Sequence, residues 1–160
     1  EGAVKIKNNI SHIIELGNIY AKRDWGYAPE YIEGLYKMMI QSIPDDYVLA
    51  TGETRTVREF VEESFNTLGE KIIWEGKGIN ETGKLKSTGN TVVNINPRYF
   101  RLTEVDLLIG DPRKANTKLG WIPEYNLEQL INEMMESDLK LMTKDQYLKD
   151  GDFTIMNYFE

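Results

Sequence analysis

The chain has 160 residues, a length typical of one domain. Hydrophobic residues make up 41% of it and charged residues 28%, a composition that excludes a disordered chain. Its net charge of −7 argues against nucleic acid or an anionic membrane as a partner, because both attract positive charge. The absence of cysteine and the presence of one histidine exclude disulfides, thiolate or multi-histidine metal sites and a cysteine nucleophile.

Apolar spacing in the first third of the chain predicts helices that alternate with short strands. Residues 4–14 carry apolar side chains three and four apart, which predicts a helix that passes into a short strand over 13–16. Residues 18–27 are polar and aromatic without a period and predict a loop. Pro29 suits the first turn of a helix that continues to about Ser42. Residues 47–50 are apolar and predict a short buried strand.

Local signals for helix ends are clearer in the middle of the chain. Thr56 and Glu59 have the spacing of a capping box and predict a helix that stops at Gly69. A strand is predicted over residues 71–74. Residues 76–90 are rich in glycine, lysine and threonine and predict an exposed loop or hairpin tip.

The last part of the chain predicts one strand followed by helices. Residues 91–95 read as a strand and 97–101 as a turn with aromatics and cations. Pro112 opens a short helix, and Asn126 caps a longer one that runs to about Met142. Residues 143–160 are less regular and predict a C-terminal tail. Strands that alternate with helices favour an α/β fold with a small, partly parallel sheet, too short for a complete doubly wound domain.

Cations collect in or beside the turns despite the acidic total, at Lys22, Arg23, Arg55, Arg58, Arg98 and Arg101. Arg23 lies near Trp25, and Arg101 follows two aromatic residues. A guanidinium forms two parallel hydrogen bonds to a diphosphate, and an aromatic ring beside it stacks on a base. The alternative is that these arginines are solvated or pair with nearby carboxylates; spacing alone ranks such an ion pair first for Arg101 and Glu104. No complete catalytic machinery is identified from the residues alone.

Several sequence blocks resemble the GDP-mannose 4,6-dehydratases, a family of extended short-chain dehydrogenases/reductases. The blocks occur in the family's order, and the resemblance runs from about Val4 to about Met142. They are GNIYAKRDWG at 17–26, YVLATGET at 47–54, VREF at 57–60, IWEGKG at 73–78, PRYFRLTEVD at 97–106, Gly-Asp-Pro at 110–112 and KLGW at 118–121.

The resemblance implies an α/β fold that is the C-terminal substrate-binding portion of such an enzyme, with a small mixed sheet and the Rossmann half absent. Residues 1–142 would bind the nucleotide sugar, GDP-mannose, and residues 143–160 would form a tail. The family converts GDP-mannose to GDP-4-keto-6-deoxymannose, a lyase reaction of nucleotide-sugar metabolism that serves GDP-fucose biosynthesis. Hydride leaves C4 for bound NADP, water is eliminated across C5 and C6, and hydride returns to C6.

The family's catalytic and cofactor-binding residues have no counterpart in this sequence. No tyrosine is followed by lysine at the fourth position, as the family's Tyr-x-x-x-Lys pair requires, and no Gly-x-Gly-x-x-Gly is present. The resemblance therefore implies no catalytic, cofactor-binding or metal residue here. We expect the chain alone to bind a GDP-sugar without NADP and without catalysing the reaction.

Substrate-binding residues are implied by the resemblance, position by position. The arginine of the family's Lys-Arg-Asp-Trp block falls on Arg23, and its second arginine and a glutamate fall on Arg101 and Glu104. Weaker assignments carried over from the same blocks are Lys22, Trp25 and Arg58.

Four positions depart from the family's usual residues. Leu102 stands where proline is usual, which makes that turn less rigid. Tyr20 and Glu30 stand where aspartate is usual, and Tyr27 where histidine is usual. Tyr20 and Tyr27 flank the expected diphosphate contact and affect its fine geometry.

The implied partners are GDP-mannose, a missing N-terminal Rossmann half and, in the complete enzyme, further copies of itself. Without that half, we expect an exposed apolar face. No nucleic acid or membrane partner is expected, and with no secretory signal or apolar run of about 20 residues, the expected location is cytoplasmic. Two alternatives stay open: a non-catalytic nucleotide-sugar-binding or interaction module from a split gene, and part of a related nucleotide-sugar epimerase or dehydratase.

Overall fold

A computed structural model describes residues 1–101, 108–151 and 153 of the chain. Helices and short strands alternate along these residues, as the sequence predicts. In chain order they are α1 (Gly2–Lys7), β1 (Ile14–Leu16), β2 (Lys22–Arg23), α2 (Ala28–Met39), β3 (Arg55–Thr56), α3 (Val57–Thr67), β4 (Ile72–Glu75), a 3-10 turn (Gly78–Asn80), β5 (Thr82–Leu85), β6 (Thr91–Ile95), α4 (Arg113–Leu119) and α5 (Leu127–Asp150).

Four strands form a mixed sheet in the order β1-β6-β5-β4. β1 runs parallel to β6, with Ile14 opposite Val93, whereas β5 runs antiparallel to both β6 and β4. The predicted small, partly parallel sheet is therefore confirmed. Lys22–Arg23 and Arg55–Thr56 pair separately as a two-stranded antiparallel ribbon.

The apolar core lies between this sheet and the helices α1, α3 and α5. Val93 on the sheet and Val4 on α1 are completely buried, and Phe65 of α3 and Ile131 of α5 keep 2% and 1% of their surface exposed. Full burial of each such side chain contributes about 1.5–3 kcal/mol. This packing holds the sheet in place and so positions the loops that leave its ends.

The predicted helix caps are present at the start of α3 and at the start of α5. The Thr56 hydroxyl accepts from the N–H of Glu59 while the Glu59 carboxylate accepts from the N–H of Thr56. Asn126 and Gln129 form the same reciprocal pair at the start of α5. Gly69, just after α3, has φ +80, a conformation that glycine adopts without strain. These local signals set the ends of α3 and the start of α5.

The segment 47–50 is not a strand, contrary to the sequence prediction. Within the described part of the chain it joins no ladder, and its apolar side chains pack on neighbouring elements instead. Leu49 lies against Gly34 of α2, where an added Cβ would be 2.7 Å from a Leu49 methyl, and Ala50 lies against Gly110. Close side-chain packing, rather than strand pairing, explains why these residues are apolar.

Element lengths also differ from the predictions. The first helix ends at Lys7, several residues early, and the predicted loop 76–90 contains β5. α5 continues to Asp150, so the first part of the predicted tail is helical. Among the described residues, no helix is both long enough and apolar enough to cross a membrane.

Candidate functional site

The β2–β3 ribbon places two guanidinium groups on one face. Lys22 pairs with Thr56, and Arg23 lies directly opposite Arg55. Because opposed residues in an antiparallel pair project to the same side, the two arginines are neighbours. The N–H of Val57 donates to the carbonyl of Ala21 at 3.1 Å, which extends the contact beyond the ladder.

Asp24 and Trp25 attach the ribbon to the rest of the molecule. One carboxylate oxygen of Asp24 accepts from the N–H and hydroxyl of Thr51 at 3.1 and 2.5 Å, and the other accepts from the N–H of Gly52 at 3.1 Å. The Trp25 ring packs against Phe60 of α3 at 5.1 Å. These two residues fix the position of the strand that carries Arg23.

A cavity of about 200 Å³ opens beside the ribbon. Its described lining combines two guanidiniums, two aromatic rings and two carboxylates with the loop that leads into α5. The lining residues of this ribbon cavity are Arg23, Trp25, Thr51, Glu53, Arg55, Pro123, Glu124, Tyr125, Asn126 and Leu127.

One wall of the ribbon cavity is held by two of the positions that depart from the family pattern. A carboxylate oxygen of Glu30 accepts from the N–H groups of Glu124 and Tyr125 at 2.7 and 3.1 Å. The Tyr27 ring stacks on Tyr125 with centroids 4.1 Å apart, and its hydroxyl donates to Glu133 of α5 at 2.8 Å. That hydrogen bond raises the pKa of Tyr27 to about 12. The substituted residues therefore have structural partners.

Arg58 belongs to a different polar network, centred on a buried carboxylate. Glu81, 3% exposed, accepts from the Tyr20 hydroxyl at 2.9 Å and from Arg58 at 3.1 Å. Arg58 also donates to Glu62 at 2.9 Å, and Trp74 donates to the same carboxylate at 2.7 Å. Partial burial acts to lower the pKa of Arg58, but hydrogen bonds to Glu62 and Tyr20 raise it overall. Contact between Arg58 and substrate stays a prediction. The hydrogen bonds of Tyr20 to Glu81 and Arg58 explain how tyrosine fits at a position where the family usually has aspartate.

Of the other assigned residues that the structure describes, Lys22 and Arg101 do not line the ribbon cavity. Arg101 is exposed after the turn at 97–99, and it is absent from the cavity's described lining. Gly17 lies so close to the carbonyl of Tyr99 that an added Cβ would overlap it, which places this turn against the end of β1. Glu104 and Leu102 lie outside the described residues. The convergence of Arg23 and Arg101 on one diphosphate therefore stays a prediction.

Arg55 and the wall formed by residues 123–125 were missed as site residues by sequence reasoning, which noted Arg55 only among the turn cations. A strand of two residues has no measurable period, so nothing in the sequence indicated that Arg55 would face Arg23. The wall residues are joined to the site by contacts with Glu30, which is 94 residues from Glu124. Only the folded chain shows this.

The chemistry available in the ribbon cavity is that of binding an anion. Guanidiniums donate in a planar fork that matches phosphate oxygens, and they keep their charge at any physiological pH. In residues 1–101, 108–151 and 153, no group of three or more histidine or acidic side chains is placed to hold a metal ion.

Comparison with known proteins gives a consistent result. A family profile described as GDP-mannose 4,6 dehydratase matches residues 1–134. The chain is 48% identical over 141 residues to the GDP-mannose 4,6 dehydratase of Drosophila melanogaster and 49% identical over 127 residues to that of Homo sapiens. These matches cover 88% and 79% of this chain but 36% and 34% of the relatives, so the chain spans about a third of their length.

Solved structures share the fold at low sequence identity. RMD of Pseudomonas aeruginosa, solved with NADPH, superposes with a TM-score of 0.66 at 13% identity, covering 87% of this chain and 40% of that protein. The dTDP-glucose 4,6-dehydratase of Bacillus anthracis, solved with NAD, gives 0.62 at 14% identity, covering 84% and 36%. The fold is thus the predicted α/β fold of part of an extended short-chain dehydrogenase/reductase. With the profile match over residues 1–134 and nearly half of the aligned residues identical, the chain belongs to the GDP-mannose 4,6-dehydratase family.

Proposed function

We propose that this chain is the substrate-binding portion of a GDP-mannose 4,6-dehydratase and that it binds GDP-mannose. The observation that carries the proposal is the position of Arg23: the arginine that the family resemblance assigns to the nucleotide lines a cavity with Trp25 and Tyr125. Arginine beside aromatic rings suits a diphosphate attached to a base. The relatives from Drosophila melanogaster and Homo sapiens are GDP-mannose 4,6 dehydratases, which indicates the substrate class.

In the proposed complex, Arg23 donates to diphosphate oxygens, and Asp24 and Trp25 hold its strand in place. Arg101 and Glu104 complete the contacts by resemblance, the first with the diphosphate and the second with ribose hydroxyls. The residues around the cavity bind and orient the nucleotide, so they raise the local concentration of substrate at a reaction centre supplied elsewhere.

The reaction itself is proposed to need a second part of the enzyme. The sequence has neither a Tyr-x-x-x-Lys pair nor a glycine-rich dinucleotide motif, so the residues present do not fit NADP. NADP would supply hydride transfer when bound to that part. We expect the complete enzyme to be a cytoplasmic homo-oligomer and this chain to bind without catalysing.

An exposed apolar stripe on α2 supports a partner of this kind. Its members follow helical spacing on one face and continue past the helix end, and Met39 is 83% exposed. They are Ile32, Leu35, Tyr36, Met39, Ile40 and Ile43. A contiguous apolar surface of this kind marks a site of contact with another polypeptide. We propose that the cofactor-binding part of a family-length enzyme covers it.

Calorimetric titration with GDP, UDP and dTDP tests the proposal. We expect GDP to bind most tightly, and Arg23→Ala and Arg101→Ala each to weaken GDP binding roughly ten-fold or more, the usual effect of losing a hydrogen bond to a charged group. Lys144→Ala, on the exposed side of α5, serves as a control expected to have no effect. Unchanged binding in both arginine variants would remove the assigned site.

The nucleotide preference and an activity assay separate the alternatives. Tighter binding of UDP or dTDP would favour a related epimerase or dehydratase. Keto-sugar produced from GDP-mannose by the purified chain with NADP would contradict the proposal that this chain binds substrate without catalysing the reaction. Absence of binding to all three nucleotides would favour an interaction module, for which the α2 stripe is the specific supporting observation.

A further inference from the structure

We infer that Arg55 joins Arg23 as a pair of guanidiniums that binds the phosphate groups of a nucleotide in the ribbon cavity. This assignment rests on the proposed function, because it names a second residue for the same anionic ligand. It goes beyond that function in assigning a phosphate-binding role to Arg55, which the family resemblance does not.

The first support is the register of the ribbon. Arg23 and Arg55 are direct partners in an antiparallel pair, and both line the ribbon cavity. Like charges in directly opposed positions destabilise an antiparallel pair, and a two-stranded ribbon is marginal without further packing. Glu53 and Glu59 lie within 4.0 Å of Arg55 and offset part of this repulsion, and an anion between the two guanidiniums is attracted by both. In a chain with a net charge of −7, such a juxtaposition of cations is a local exception.

The second support is the set of carboxylates around Arg55. Its guanidinium nitrogens lie 4.0 Å from Glu53 and 3.8 Å from Glu59, both beyond hydrogen-bond distance. Thr56 holds the Glu59 carboxylate through its other oxygen, Oε2, which accepts from the N–H and hydroxyl of Thr56 at 2.6 and 2.8 Å, so Arg55 faces Oε1 at ion-pair distance without a hydrogen bond. With a side chain 54% exposed, Arg55 therefore retains donors that a ligand can reach.

Several N–H groups at the adjacent start of α5 already have acceptors within the protein. Asn126 accepts from the N–H of Gln129, and Glu30 accepts from the N–H groups of Glu124 and Tyr125. The cationic groups that line the cavity, Arg23 and Arg55, are therefore the elements suited to an anion. The acidic lining residues Glu53 and Glu124 oppose anion binding. Removal of one of these carboxylates should therefore strengthen the binding of an anion, which provides a test.

Titration of the full chain with inorganic pyrophosphate, GDP and guanosine tests the assignment. We expect Arg55→Gln to weaken binding of pyrophosphate and GDP about ten-fold or more, because a hydrogen bond to a charged group is lost. Guanosine, which lacks phosphate, is expected to bind equally to wild type and variant. Arg113→Gln, an exposed arginine of α4 outside the described lining, is the matched control and is expected to leave all three affinities unchanged.

A second variant has the opposite expected sign. Glu53→Gln removes a carboxylate from the cavity and is expected to strengthen pyrophosphate and GDP binding several-fold, an outcome that a misfolded variant does not produce. Circular dichroism of each variant checks the fold.

The outcomes separate this assignment from the proposed function. GDP binding that depends on Arg23 but is unchanged in Arg55→Gln overturns the role of Arg55 and leaves the proposed function standing. Pyrophosphate binding that depends on Arg55, with no preference for GDP over UDP or dTDP, supports the role of Arg55 and contradicts the guanine nucleotide. Failure of the wild-type chain to bind pyrophosphate and GDP overturns the assignment.

Discussion

The mixed sheet and the β2–β3 ribbon are stabilised by different interactions. The sheet holds its place through buried apolar side chains such as Val93 and, on the helix above it, Phe65. The ribbon has two residues per strand and is attached by the hydrogen bonds of Asp24 and by Trp25. Apolar burial gives most of the stability and no ligand chemistry, whereas the ribbon sets charges at a surface cavity. Variants can therefore separate folding from binding.

The largest expected effect is on the sheet side of this comparison. Phe65→Ala leaves a cavity in the core and is expected to lower the free energy of unfolding by about 3–5 kcal/mol, measured by urea denaturation with circular dichroism. Ile73→Ala on β4, where the side chain is 46% exposed, is the control and is expected to cost under about 1 kcal/mol. Equal costs would mean that the core does not lie where the structure places it.

The next effect is on the attachment of the ribbon. Asp24→Asn turns an amide NH₂ toward donors from Thr51 and Gly52, and we expect a loss of about 1–3 kcal/mol in unfolding free energy together with weaker GDP binding. Asp46→Asn, at an exposed position outside any helix or strand, provides the comparison, with neither property altered. If Asp24→Asn leaves GDP affinity intact, the ribbon does not need this anchor to present Arg23.

Helix caps offer an equal test in both regions. Thr56→Ala at the ribbon and Asn126→Ala at the start of α5 each remove a reciprocal capping box, and each is expected to cost about 1 kcal/mol. Thermal melts followed by circular dichroism provide the measurement. A much larger cost at Thr56 would show that the ribbon contributes more to folding than its size suggests.

A smaller effect is the pH dependence of the cap at the ribbon. The hydrogen bond from the backbone of Thr56 holds the pKa of Glu59 below its ordinary value. The stabilisation is therefore present above about pH 4.5 and is lost as the pH falls through the lowered folded-state pKa. We expect the difference in melting temperature between wild type and Glu59→Gln to shrink between pH 6 and pH 3 (approximate limits). A difference that does not change with pH would contradict the cap's ionic character.

The smallest effect is spectroscopic and concerns the cavity wall. The hydrogen bond to Glu133 raises the pKa of Tyr27 to about 12, so the stability it adds is complete below about pH 10 and is lost as the pH rises through 12. Ultraviolet titration of tyrosinate in wild type and Tyr27→Phe is expected to differ by one step near that value. A difference that titrates near pH 10 would mean that Tyr27 does not donate to Glu133.

Local signals predicted some elements well and others poorly, for identifiable reasons. The capping box of Thr56 and Glu59 and the cap at Asn126 each lie within four residues of chain, so local sequence predicts both helix starts. Residues 47–50 are apolar because they pack on α2 and Gly110, and apolar content alone does not distinguish this from strand pairing. The short strands β2 and β3 carry no period, and their pairing spans more than thirty residues of chain.

The sequence by itself determined the family, the alternation of helices and strands and the two capping boxes, because each depends on residues close together in the chain; the role of Arg23 stays a prediction from the same local blocks. The tertiary structure decided that Arg55 faces Arg23, that Glu30 and Tyr27 support the loop before α5, and that Arg58 pairs with buried Glu81. Contacts between distant segments depend on how the core orients its loops. Apolar periodicity and local motifs do not predict that orientation.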